Sequence, residues 1–271
     1  MLQKFRYAKP RDKSELHALL AEYGKSAKLL AGGTDLLVNI RSGSQKPAIV
    51  IDVKKVTGFS GISWSAKEGL IIRPAVTINE VLGDAAVREK FPLLMKCAHD
   101  LASYQIRNRA TVIGNIVNAS PCSDMAPGLL CLEARIVISS KRGERELPLV
   151  EFFTGVKKTV LREDEFVERI VVPAAAAGAR GSYKKLKRIN GHDLGIVGVA
   201  LMKKDGLLRL GISSSAPTPV LVDGLRETDP EEKVAAAARK ATSPISDVRC
   251  SQEYREFMIE TFVKRLCREV K

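Results

Sequence analysis

The sequence predicts an α+β fold in two parts. Two observations carry this. Short alternating or continuous apolar runs are interleaved with segments whose apolar residues recur at helical spacing. An alanine-rich stretch after Pro173 then separates a larger mixed part from a smaller one reading strand, strand, strand, helix, helix. The chain has 271 residues, enough to bury a core without disulfides or metal.

The elements follow in order. Residues 2–8 alternate like an edge strand. Leu16, Leu19, Leu20 and Tyr23 share one face of a helix from Ser14 to Tyr23. A short apolar strand at 28–31 runs into Gly32-Gly33, and Thr34 can cap a helix through Leu36, Leu37 and Ile40. Residues 48–52 read as a buried strand, and 61–65 and 69–73 as a hairpin. Thr77 and Glu80 are spaced as a capping box. A helix from Phe91 to Ser103 carries Leu93, Leu94, Cys97 and Leu101 on its apolar face. Residues 104–126 read as irregular, and an irregular stretch of that length in a compact domain is usually functional or disordered. Strands resume at 134–140, 144–149 and 166–172. The run 174–179 reads as a linker. Strands at 181–188, 196–203 and 207–214 follow, then helices at 231–241 and 251–268. Asp229-Pro230-Glu231-Glu232 marks a helix start with Asp229 as N-cap and Pro230 at the first helical position.

Composition excludes several classes. Cys97, Cys122, Cys131, Cys250 and Cys267 show no C-x-x-C spacing, so zinc-ribbon and iron–sulfur ligand sets do not fit. An odd count of thiols and no leader pattern point to a reducing compartment, the cytoplasm. No apolar run is long enough for a membrane span. The net charge of +13 is spread out: residues 1–173 carry +7 and residues 174–271 carry +6. Only 184–188 is densely basic, and aromatics are 5% of residues. A nucleic-acid binder shows a basic stripe with interleaved aromatics, so no nucleic-acid partner is expected. His17, His99 and His192 lie outside both loops described next and are assigned no chemistry.

Two loops can carry chemistry. Leu30-Ala31-Gly32-Gly33-Thr34-Asp35-Leu36 joins a strand to a helix through two glycines. Glycine lets a backbone approach phosphate, and a helix start leaves N–H donors free. A plain tight turn explains the same residues, and neither a G-x-G-x-x-G nor a P-loop is present. The second loop, 110–124, packs Thr111, Gly114, Asn115, Asn118, Ser120, Ser123 and Asp124 into one stretch. It offers donors to phosphates and a carboxylate to hydroxyls, though Asx turns would use the same residues.

Together these loops resemble the FAD-binding medium subunit of the molybdenum hydroxylases, the xanthine dehydrogenase and aerobic carbon monoxide dehydrogenase family. The first loop is similar to that family's A-G-G-T/H-D/S turn. The second is similar to its T-x-G-G-N-x-x-x-A-S-P-x-S-D loop, most specifically in Ser120-Pro121-Cys122-Ser123-Asp124. Ser182-Tyr183-Lys184-Lys185-Leu186-Lys187-Arg188 resembles a Y-x-K-L-K-R strand, and Ser251-Gln252-Glu253-Tyr254-Arg255 resembles the S-x-x-Y-R opening the last helix. The departure is Ile113, where the family commonly has glycine.

The resemblance implies a two-lobed flavin domain of the vanillyl-alcohol-oxidase (PCMH) type over residues 1–173, with lobes 1–55 and 56–173. A C-terminal α+β domain of three strands plus helices follows over 174–271. It implies FAD held by Leu30, Ala31, Gly32, Gly33, Thr34, Asp35 and Leu36 at the pyrophosphate. Thr111, Gly114, Asn115 and Ser120 would add contacts from the second lobe. Asp124 would accept from a cofactor hydroxyl, Leu101 and Val167 would pack on the cofactor, and Lys184 would reach it. Molybdopterin and two [2Fe-2S] clusters are implied only in partner subunits. FAD would collect electrons from the [2Fe-2S] small subunit and pass them to NAD+, oxygen or another acceptor. The alternative is a self-contained flavin-dependent oxidoreductase of the same fold, which would need its own catalytic acid or base.

Overall fold

The computed structural model describes residues 4–189 and 191–270. Residues 2 and 3 of the expected first strand lie outside them.

The first lobe contains β1 (Arg6–Ala8), α1 (Lys13–Tyr23), β2 (Ala27–Leu30), α2 (Leu36–Ser42) and β3 (Ile49–Asp52). Its sheet runs β1-β3-β2 with both pairs parallel. All four residues of β3 are buried, as a central parallel strand requires. Asp12 caps α1 by accepting the Glu15 amide at 2.9 Å. Leu16 and Leu20 of α1 then pack in one cluster with Ile49 and Ile51. The expected Thr34 cap is not formed. Asp35 directly precedes α2 and no side chain caps the helix. The Gly33 carbonyl takes the Leu37 amide at 3.0 Å, so Thr34 already lies inside the first helical turn.

The second lobe opens with the hairpin β4 (Ile62–Ser65) and β5 (Gly69–Ile72). Six helices follow: α3 (Ile78–Gly83), α4 (Ala85–Lys90), α5 (Pro92–Asp100), α6 (Tyr104–Arg107), α7 (Val112–Val117) and α8 (Met125–Cys131). Then come β6 (Arg135–Ser140), β7 (Gly143–Pro148), the small hairpin β8 (Phe153–Gly155) with β9 (Lys158–Thr159), and β10 (Phe166–Val172). The five-stranded sheet has the order β4-β5-β10-β6-β7 and is antiparallel. The Thr77–Glu80 capping box is present. Residues 104–126 are not irregular as expected. They hold α6, α7 and the start of α8, helices too short to show a 3.6-residue period. Ile113, the departure from the family pattern, sits in α7 with its side chain in the core. Leu101 ends α5 as its C-cap instead of lying on its face.

The lobes meet where α1 crosses β10. Lys13 pairs with the buried Glu168, and the His17 ring lies 5.0 Å from that of Phe166. His17 also meets the Ser139 hydroxyl at 3.2 Å, a packing role.

The C-terminal part holds β11 (Arg180–Leu186), β12 (Val197–Lys204), β13 (Leu207–Ser213), β14 (Val220–Arg226), α9 (Glu231–Ala241) and α10 (Gln252–Glu269). Its sheet has four strands in the order β11-β12-β13-β14, not the three expected. The missing strand is β14. Gly224 there has φ of +71°, so Asp223-Gly224 reads as a turn although it lies within a strand. Asp229 does not cap α9. Pro230 directly precedes the helix, while Asp229 accepts the Arg226 amide and pairs with Lys233.

The stretch 174–179 is packed instead of free. It forms a short 3-10 turn, and Ala176 and Ala179 join the second lobe's core. The C-terminal sheet is covered on both faces. Val197, Val199 and Leu201 of β12 pack with Ile259, Val263 and Leu266 of α10. Tyr183, Ala200 and Met202 pack in the core shared with α5 and α8.

Candidate functional site

The fold brings the two loops into contact. Residues 109–112 are fixed from below: Ala110 accepts the Ile78 amide at 2.9 Å, and Val112 donates to the Val76 carbonyl at 3.2 Å. The loop after β2 is laid directly on this segment. A Cβ on Gly32 would overlap the Arg109 carbonyl, so only glycine permits the approach. Gly33 turns the chain with φ of +74°.

Five successive amides of this turn, from Gly32 to Leu36, donate to no acceptor among the described residues. The turn is only partly buried. Such a row of free N–H groups suits an anion with several oxygens. Across from it, the Thr111 hydroxyl accepts the Gly114 amide at 3.0 Å, and a Cβ on Gly114 would stand 2.7 Å from that oxygen. Gly114 is exposed, so its backbone faces outward.

Asn115 and the serines shape the second loop from within. Asn115 Oδ1 accepts from Ser123 Oγ at 2.6 Å and from the Met125 amide at 3.3 Å. Its Nδ2 keeps no partner among the described residues. Ser120 Oγ accepts the Cys122 amide at 3.2 Å.

Asp124 lies deeper. Lys185 Nζ stands 2.9 Å from each of its carboxylate oxygens, and Tyr183 donates to Oδ1 at 3.1 Å. Lys185 also donates to the Asp100 carbonyl at 3.2 Å. Burial raises the pKa of Asp124, against the pull of Lys185 and Tyr183 toward the charged form. Burial and the neighbouring carboxylate push the Tyr183 phenol well above its ordinary value. This network pins the second loop to β11.

The remaining candidates are spread. Leu101 and Val167 are 5% and 3% exposed, so each presents only an edge outside the core. Lys184 points to the opposite face of β11 from Asp124, where it pairs with Glu269 at 2.7 Å.

Sequence reasoning passed over Tyr183, Lys185 and Lys157. Strict alternation along 183–188 already separates Lys185 from Lys184, and that signal was available. Lys157 sits between β8 and β9 with φ of +57° and donates its amide to the Ala119 carbonyl at 2.9 Å. Its Nζ donates to Asn118 Oδ1 at 2.8 Å and lies 3.7 Å from Asp35. Nothing local in the sequence marks it.

Residues 3–175 match the family model described as the FAD binding domain in molybdopterin dehydrogenase. The chain belongs to this family. It is 34% identical to the carbon monoxide dehydrogenase medium chain of Hydrogenophaga pseudoflava, over 97% of this chain and 95% of that one. It is 30% identical to the xanthine dehydrogenase FAD-binding subunit of Escherichia coli O157:H7, over 93% and 90%. Its structure superposes on carbon monoxide dehydrogenase from Hydrogenophaga pseudoflava lacking the Mo-pyranopterin moiety, with TM-score 0.90 and 30% identity, covering 100% of this chain and 98% of that one. Reconstituted CO dehydrogenase from Oligotropha carboxidovorans gives TM-score 0.92 at 26% identity, covering 100% and 98%.

Family membership makes this molybdopterin dehydrogenase relative an oxidoreductase subunit with FAD as its cofactor, on the expected PCMH-type fold. The residues present fit the group: five unpartnered amides and a glycine cradle suit a dinucleotide diphosphate. Among the described residues no helix is long and apolar enough to cross a membrane.

Proposed function

We propose that this chain is the FAD-binding electron-transfer subunit of a heterotrimeric molybdenum hydroxylase in the cytoplasm. Its partners are a [2Fe-2S] small subunit and a molybdopterin large subunit, with NAD+, oxygen or another acceptor taking the electrons. FAD supplies the exchange between one-electron and two-electron carriers when bound. The chain supplies binding and orientation.

The observation that carries the reading is the row of free amides from Gly32 to Leu36, laid against the Arg109 carbonyl. In this reading Leu30 and Ala31 lead into the turn, and the Gly32–Leu36 amides hold the diphosphate. Thr111 keeps Gly114 in place, and Gly114, Asn115 and Ser120 contact the cofactor from the second lobe. Asp124 anchors that lobe through Lys185 and has a lone pair left for a cofactor hydroxyl. Leu101 and Val167 pack on the cofactor through their exposed edges, while Lys184 stays with Glu269 on the other face of β11. The flavin unit spans 1–173, with lobes 1–55 and 56–173, and 174–271 closes it from one side.

Support for electron transfer over a self-contained oxidoreductase comes from the site's chemistry. Three titratable groups at the second loop, Asp124, Tyr183 and Lys185, are committed to one another in the core. The test is reconstitution. The chain is purified with FAD and mixed with its iron–sulfur and molybdenum partners. Flavin reduction that needs both partners supports the proposal; reduction of the isolated chain's flavin by an organic substrate overturns it.

A further inference from the structure

We propose that Lys157 is a cofactor-binding residue, the cation that makes the free-amide turn accept a dianion. This rests on the placement of the FAD diphosphate at Gly32–Leu36. That turn carries a carboxylate of its own, Asp35, which is exposed and opposes an incoming diphosphate. Asn39 offers Asp35 one amide at 3.1 Å, but no charge. The charge comes from Lys157, whose ammonium stands 3.7 Å from Asp35.

Its position is built. The residue between β8 and β9 adopts a left-handed backbone that L side chains rarely take, with φ of +57°. Its own amide is tied to the Ala119 carbonyl, and Ala119 is left-handed as well, with φ of +45°. Two unfavourable conformations and one hydrogen bond thus bring the side chain to Asn118 Oδ1 at 2.8 Å. The lysine links the second-lobe loop to the first-lobe turn. Its ammonium has three N–H groups. One goes to Asn118 and one faces Asp35. The third has no partner among the described residues and is available to a phosphate oxygen.

A lysine that only joined the loops would act through its hydrogen bond. A lysine that neutralises the turn acts through its charge. Lys157→Gln keeps a donor for Asn118 and removes the charge; Lys157→Arg keeps the charge. FAD affinity of the full-length apoprotein is measured by flavin fluorescence titration at low and high salt, with apoprotein melting as a control. Lys157→Gln weakens FAD binding by about tenfold at low salt, the scale of one charge-assisted contact to phosphate. The deficit shrinks at high salt because the site is partly exposed, and Lys157→Arg binds as the wild type does. Asp35→Asn in the Lys157→Gln background regains part of the loss. Equal FAD affinity of the wild type and Lys157→Gln at low salt overturns the proposal while leaving the FAD site intact. A salt-independent deficit that tracks a lower apoprotein melting temperature overturns it in favour of a merely structural link. A wild-type chain that binds no FAD overturns both this proposal and the reading beneath it.

Discussion

Lys185 grips both oxygens of the Asp124 carboxylate at 2.9 Å while its own side chain is 1% exposed. The pair joins the loop after α7 to the first strand of the C-terminal sheet. Removing one partner leaves the other charge buried without compensation. Lys185→Met is therefore expected to lower stability by about 3–5 kcal/mol. Asp124 would then take up a proton, since burial already raises its pKa. Adding Asp124→Asn to Lys185→Met recovers part of the loss. Denaturant unfolding of the two variants checks this.

Gly32→Ala tests the contact between the loops. The new Cβ would overlap the Arg109 carbonyl, so the turn must lift from the second lobe. FAD binding is expected to fall by at least tenfold, while the far-ultraviolet circular dichroism stays that of the wild type. Gly43→Ala is the control. Gly43 is also left-handed, with φ of +77°, but a Cβ there meets nothing within 4 Å. It should cost about 1 kcal/mol of backbone strain and leave FAD affinity unchanged.

Arg255 is a second buried charge, 1% exposed in α10. It donates to the Ile196 carbonyl at 2.6 Å and the Ser214 carbonyl at 3.0 Å and pairs with Asp247 at 2.7 Å. Arg255→Met strands two carbonyls and is expected to cost about 2–5 kcal/mol. Hydrogen exchange should show the loosening concentrated at α10, β12 and β13.

Acid should loosen the attachment of α10 to β11. Hydrogen bonds from Lys184 and then Ser182 hold the Glu269 carboxyl at about 2, below its ordinary 4.5. A depressed carboxylate stabilises the fold above its unfolded pKa, and that contribution is lost as pH falls through the folded value. The melting temperature should therefore drop between pH 4.5 and about 2. Glu269→Gln should show a shallower drop. The effect is modest, because Glu269 is partly exposed.

How much of this was legible in the sequence depends on the range of the interaction. The Gly32-Gly33 turn, the Thr77–Glu80 box and the buried strand β3 are local patterns, and each was read from neighbouring residues. Helices α6 and α7 were missed because four to six residues cannot display a helical period. β14 was missed because Asp223-Gly224 carries a turn signature inside a strand. Lys157 was invisible for another reason: Asp35 and Asn118 lie far from it in sequence, and only the fold brings them together. Lys185 shows a misplaced emphasis, since alternation separated it from Lys184 but could not say which face met Asp124.

The central claim is that the Gly32–Leu36 amides hold the diphosphate of FAD. The most direct measurement is the amide 1H–15N spectrum of the labelled apoprotein during titration with FAD. The five amides from Gly32 to Leu36, with Gly114, are expected to show the largest shifts and to gain protection from exchange with water. Tight FAD binding that leaves these amides unmoved would contradict the assignment.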